Sequence, residues 1–132
     1  MIEFGHRLSS GLALIGVVAL FVWAFRRYSK GHIVRVGGGF SLLFIITESL
    51  VGAALVLFEW VAGDTSTARV IVMGVHLANT FLLLGSLSLT AWWASGGRRL
   101  QFEGRKLALW ALIAAYLGVL TIGVTGAVTA LG

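Results

Sequence analysis

Five ionisable side chains fall within or beside long apolar runs, and these are the places where the chain could do chemistry: Glu3, His6, Arg7, Glu48 and His76. Such groups are costly in hydrocarbon, so they usually face a bundle interior or cavity and act there. Glu3, His6 and Arg7 are spaced i, i+3 and i+4, which on a helix places all three on one face. A carboxylate one turn from an imidazole can hydrogen-bond it, pass it a proton, or act on whatever the imidazole holds. The arginine can pair with that carboxylate or with an anionic group of a ligand. The plainer reading is a helix-start carboxylate, favoured by the positive end of the dipole and ion-paired to its neighbour.

The histidines gain meaning from their depth. His6 lies twenty residues before the basic end of its apolar run at Arg26, and His76 lies twenty-two before Arg98. If both runs are helices pointing the same way, the imidazoles differ in height by about 3 Å at 1.5 Å per residue, which helix tilt absorbs. Two imidazoles at one height on two helices of a bundle can ligate a single haem iron from opposite faces, with apolar walls around the macrocycle. Taken singly, each histidine reads as an interfacial residue bonded to backbone or water; the matched pair favours haem. Zinc fits less well, because His6, His76 and Glu3 would be the minimum catalytic set and no H-E-x-x-H spacing occurs. His32 lies among basic residues in a connector and reads as solvated.

Glu48 stands thirteen residues after Arg35 and eleven before Glu59, near the middle of its apolar run. It is either a structural group bonded to a neighbour, such as Thr47 or a threonine of the fourth run, or a proton relay toward a redox centre.

The elements that must position these residues are four apolar segments at about 5–25, 36–58, 70–93 and 107–130. Each approaches the ~20 residues that a helix needs to cross a bilayer. The 132 residues are 58% hydrophobic and 11% charged, with mean hydropathy +0.97, which excludes an ordinary soluble domain or a disordered chain. The absence of cysteine excludes disulfides, thiolate metal sites and cysteine nucleophiles. Four helices with short connectors predict an all-α integral membrane protein, a single-domain up-down-up-down bundle.

Eight of the ten Lys and Arg residues lie in two connectors, 26–35 and 95–106, so the positive-inside rule puts those in the cytoplasm and both termini outside. A multi-pass protein of a prokaryotic plasma membrane is expected, with the lipid bilayer as its first partner. The net charge of +5 then reports topology and not nucleic-acid binding. Gly37, Gly38 and Gly39 lack the strand and the Gly-Lys-Ser/Thr ending of a phosphate loop. Ala114 with Gly118, and the hydroxyl stripe Thr121, Thr125 and Thr129, are expected to pack the fourth helix. Trp23, Trp60, Trp92, Trp93 and Trp110 read as interfacial belt residues.

Four stretches, E-F-G-H-R at 3–7, I-T-E-S-L-V-G at 46–52, H-L-A-N at 76–79 and T-G-A-V-T-A-L-G at 125–132, together resemble the amino-terminal half of the haem A synthase family. That family oxidises the methyl group of haem O to the formyl group of haem A for terminal oxidases. Carried over, the resemblance implies that His6 and His76 are haem-iron ligands, Glu3 the catalytic glutamate, and Arg7 the arginine that follows the first ligand. It also implies departures. Typical members have two such four-helix halves, many carry a cysteine pair where residues 59–69 have none, and glutamine is frequent where Glu48 stands. One bundle with one histidine pair implies a compact member that assembles as a homo-oligomer or takes electrons from elsewhere, a quinol or another donor. A haem O synthase would supply its substrate.

The expected activity is therefore conversion of the haem O methyl to a formyl group, with haem B or substrate haem O held by His6 and His76. Two axial histidines leave no open iron position, so either one ligand leaves or the macrocycle loses electrons and water adds. Two rivals use the same residues differently: a b-type cytochrome that only transfers electrons, and an assembly partner without a cofactor.

Overall fold

A computed structural model describes residues 2–60, 66–99, 104 and 106–129, apart from the side chains at 2–4, 127 and 128. Glu3 as a side chain, and Arg105 of the second basic connector, lie outside that description. The described residues form four α-helices and no strand: α1 (Ile2–Arg27), α2 (Ile33–Leu57), α3 (Thr67–Ala94) and α4 (Lys106–Thr129). All four are long and apolar enough to cross a membrane, and their boundaries fall within three residues of those expected from hydropathy. The agreement has a simple cause: in lipid every backbone N–H and C=O must be satisfied within its own segment, so an apolar run of this length has few alternatives to a helix.

The helix ends are set by local chemistry. Ser66 Oγ accepts the backbone N–H of Arg69 at 3.2 Å and caps the start of α3. At its other end Gly96 takes φ +86°, with Gly97 N–H bonded to Trp92 O at 2.9 Å and Gly96 N–H to Trp93 O at 3.2 Å. This is a Schellman stop, for which a residue without a Cβ is best suited. His32 differs from its solvated expectation. It is half-buried, stacks on Tyr28 with ring centres 4.4 Å apart, and accepts the Val34 N–H on Nδ1 at 3.3 Å, so it caps α2.

The helices fall into two compact units, with α2 and α3 each contributing to both. The first comprises α1, residues 33–50 of α2 and residues 79–94 of α3, together with the turns to Arg98. Its core is Val17, Ile45 and Leu83, with Leu14, Leu42, Phe44 and Leu87 packed around them. Nearby helix contacts use small residues. A Cβ on Gly37 would collide with Thr90, and one on Gly38 would touch Ala24 Cβ at 3.4 Å. Ser41 and Ser86 are buried with their hydroxyl oxygens 3.1 Å apart, and the buried Thr90 hydroxyl donates to Ser86 O at 2.6 Å. Large side chains such as Leu12, Ile15 and Leu43 are exposed instead. This distribution suits a protein whose solvent is hydrocarbon, where close backbone approach and cross-helix hydrogen bonds hold helices together.

The second unit comprises residues 51–57 of α2, 67–78 of α3 and α4. Here α4 packs through Gly123, whose missing Cβ makes room for Leu77, and through Val124 against Gly74. Tyr116 donates its hydroxyl to Ala78 O at 3.0 Å. The expected packing through Gly118 is not found, since a Cβ there would meet nothing within 4 Å. The threonine stripe bonds back onto its own helix: Thr121 to Leu117 O, Thr125 to Thr121 O and Thr129 to Gly126 O. A hydroxyl on a helix reaches the carbonyl three or four residues earlier, which satisfies it without any neighbour.

Candidate functional site

In the first unit a polar cluster joins α2 to α3 at Glu48. Asn79 donates one amide hydrogen to Glu48 Oε2 at 2.6 Å and the other to Phe44 O at 2.8 Å. Its amide oxygen lies 2.7 Å from the Thr47 hydroxyl. Thr80 donates its hydroxyl to Glu48 Oε1. Each carboxylate oxygen therefore accepts a donor from α3, and Asn79 uses both N–H groups and its oxygen. Complete satisfaction is what makes a half-buried carboxylate tolerable in an apolar span, because an unmatched polar group there carries its full desolvation cost.

The partners differ from those expected. Thr47 touches Asn79 rather than Glu48, and the threonines of α4 bond to their own helix. Asn79 enters the sequence reading only as the last residue of the H-L-A-N stretch, with no role, and Thr80 does not enter it, although a signal is present. Asn79 is the one asparagine of the chain and stands in the middle of an apolar helix.

His76 belongs to the second unit. Its imidazole is half-buried, with Nδ1 fully shielded. Gly52 of α2 faces the ring, and a Cβ built there would stand 3.6 Å from His76 Cε1. On the side facing Gly52 the imidazole meets glycine backbone in place of a side chain. His6 belongs to the first unit and is exposed on α1, as is Arg7 one residue on. The His6 carbonyl accepts the Ser9 hydroxyl at 2.9 Å, a contact within the helix that leaves the ring out of account. Glu3 opens the same helix, with its side chain outside the described set.

The donor types suit haem. Two imidazoles are enough for axial ligation, and an arginine beside one of them can pair with a propionate. Among the described residues no group of three His, Cys, Asp or Glu could hold a bare metal ion.

Comparison with known proteins adds a family. The profile described as COX15-CtaA, cytochrome oxidase assembly protein, matches residues 1–132. A Thermus thermophilus protein named Protoheme IX farnesyltransferase is 54% identical over 132 residues, which is all of this chain and 22% of that protein. A Heme A synthase of Geobacillus kaustophilus is 28% identical over 128 residues, covering 91% of this chain and 39% of the relative. A Heme A synthase of Lysinibacillus sphaericus is 39% identical over 64 residues, or 48% of this chain and 20% of the relative. The chain thus spans about a fifth of the Thermus protein and at most two fifths of these synthases. No solved structure matches at a significant level.

Proposed function

The chain belongs to the COX15-CtaA family of cytochrome oxidase assembly proteins, and from that membership we propose that it oxidises the methyl group of haem O to the formyl group of haem A. It is a multi-pass membrane protein, and the plasma membrane of a prokaryote is the proposed location, with both termini outside. The observation that carries the reading is the family match across residues 1–132, which includes both histidine-bearing helices. Relatives named Heme A synthase support it.

In this proposal His6 and His76 hold the haem iron and Arg7 pairs with a propionate. Bound haem supplies the redox centre and the methyl group that is oxidised. Glu3 would be the acid/base group, holding or passing a proton on a carboxylate oxygen, or the group that positions the substrate. His76 is suited to its part because Gly52 places no side chain against the imidazole. The name of the Thermus relative supports a partner for this chemistry: an enzyme that farnesylates protohaem IX makes the haem that a synthase would receive. A homo-oligomer or an external donor such as a quinol would provide for electron transfer.

The test is to co-express the chain with a source of haem O, purify it in detergent, and identify the extracted pigment by reduced pyridine spectrum and mass. Haem A or its hydroxylated intermediate is expected. Haem B with haem O untouched would make the protein an electron carrier, and a colourless protein would remove the haem site.

A further inference from the structure

We infer that Asn79 is a positioning residue: held on Glu48 and Phe44 O of α2, it sets the rotation of α3 and so the direction of the His76 imidazole. The inference rests on the reading of His76 as a haem ligand given above. Its basis is the pairing along two helices. Asn79 follows His76 by three residues on α3, one turn away on the same side of the helix. Glu48 precedes Gly52 by four residues on α2, again one turn. The Asn79 amide and the Thr80 hydroxyl meet Glu48, and Gly52 lies against His76.

Rotation of α3 about its axis is weakly specified by apolar contact, because its exposed side chains meet lipid tails that are as apolar as they are. The polar cluster adds specification near His76, beside the Gly37–Thr90 contact and the Ser41–Ser86 hydroxyl pair farther along α3. Turning α3 would part both Asn79 N–H groups, its oxygen and the Thr80 hydroxyl from their partners at once. A single asparagine at a helix interface that fixes register is a well-attested use of such a group, and Asn79 is half-buried at this one. A partner that orients a haem-binding histidine from outside the ligand set is ordinarily a direct hydrogen bond to the ring. Asn79 acts beside any such bond, through the helix backbone.

Glu48→Gln separates this role from a proton relay. A glutamine keeps one oxygen to accept the Asn79 amide, and its own N–H can donate to the Thr80 hydroxyl, so the helix orientation survives while the carboxylate is lost. The experiment measures haem dissociation rate and the low-spin electron paramagnetic resonance signal of the holoprotein, which follows the mutual angle of the axial imidazole planes. Asn79→Ala and Glu48→Ala should each displace the signal and release haem about 10-fold faster, the scale of losses seen when a ligand's supporting shell is removed. Glu48→Gln should match the unaltered protein in both. Wild-type signal and release in Asn79→Ala, or a Glu48→Gln variant as impaired as Glu48→Ala, would overturn the inference.

A second measurement keeps the result independent of haem. The chain has no cysteine, so a nitroxide on Val75→Cys reports the setting of α3 in the haem-free protein in detergent. Val75 is half-exposed and adjoins His76. Asn79→Ala should change the nitroxide mobility and Glu48→Gln should not; equal mobility in all three proteins would overturn the positioning role. If His76→Ala leaves the haem spectrum unaltered, the ligand assignment fails by itself, and the nitroxide alone decides whether Asn79 sets the helix.

Discussion

The Asn79 amide lies 2.6 Å from Glu48 Oε2, joining the one asparagine of the chain to the carboxylate nearest the middle of its membrane spans. Thr80 closes the other oxygen from the next residue of the same helix. An expensive group is thereby made part of the helix packing, and a loss on the α3 side should be felt directly by α2.

Thr80→Val, which keeps the shape and removes the donor, should lower stability by about 1 kcal/mol, within the range measured for cross-helix hydrogen bonds in membranes. Thr80→Ser should be near neutral. Reversible unfolding in mixed detergent micelles reads both, and equal stability of Thr80→Val and the unaltered protein would show that this hydrogen bond adds nothing.

At Gly37 the helices approach too closely for a side chain, since a Cβ would strike Thr90 and stand 3.2 Å from Trp93 Cζ3. Gly37→Leu should cost about 1–3 kcal/mol, the usual range for overpacking. Adding Thr90→Ala should recover part of that cost, because the two residues share one contact. Additive losses in the double-mutant cycle would place the damage elsewhere.

His6→Ala and His76→Ala should each lose the bound pigment or displace its absorption, whereas His32→Ala should keep the spectrum. His32 caps α2 through Nδ1, so its removal should cost about 1 kcal/mol of stability. His32→Asn should restore most of that. Pigment loss in His32→Ala with normal folding would bring this third histidine into the site.

Glu3→Gln should retain haem while formyl product disappears, measured by mass of the extracted pigment. Haem A formation at the unaltered level would remove Glu3 from the chemistry.

Membrane orientation is read by single cysteines in an otherwise cysteine-free chain. Lys30→Cys should react with an impermeant maleimide only in inverted vesicles, and Thr65→Cys only in intact cells. The opposite pattern would reverse the topology expected from the basic connectors.

Much of the architecture is legible in one dimension. Four apolar runs separated by charged connectors become α1 to α4, because a bilayer rewards length and hydropathy and leaves the backbone no partners but its own. The cost of Glu48 in hydrocarbon is likewise readable from its position, as is the resemblance carried by the residues around His6 and His76.

The partners of those residues were decided by the tertiary structure. Glu48 takes Asn79 and Thr80 in place of Thr47 or an α4 threonine. The close contacts fall at Gly37 and Gly123, while Gly118 stands open. His32, expected in solvent, caps a helix. Which residue meets which depends on the rotation of each helix about its axis, and apolar side chains surround these helices on nearly every side. A period of 3.6 residues with little polar contrast carries almost no record of the inward face. Only the mutual packing of small residues and the pairing of the few polar ones select it.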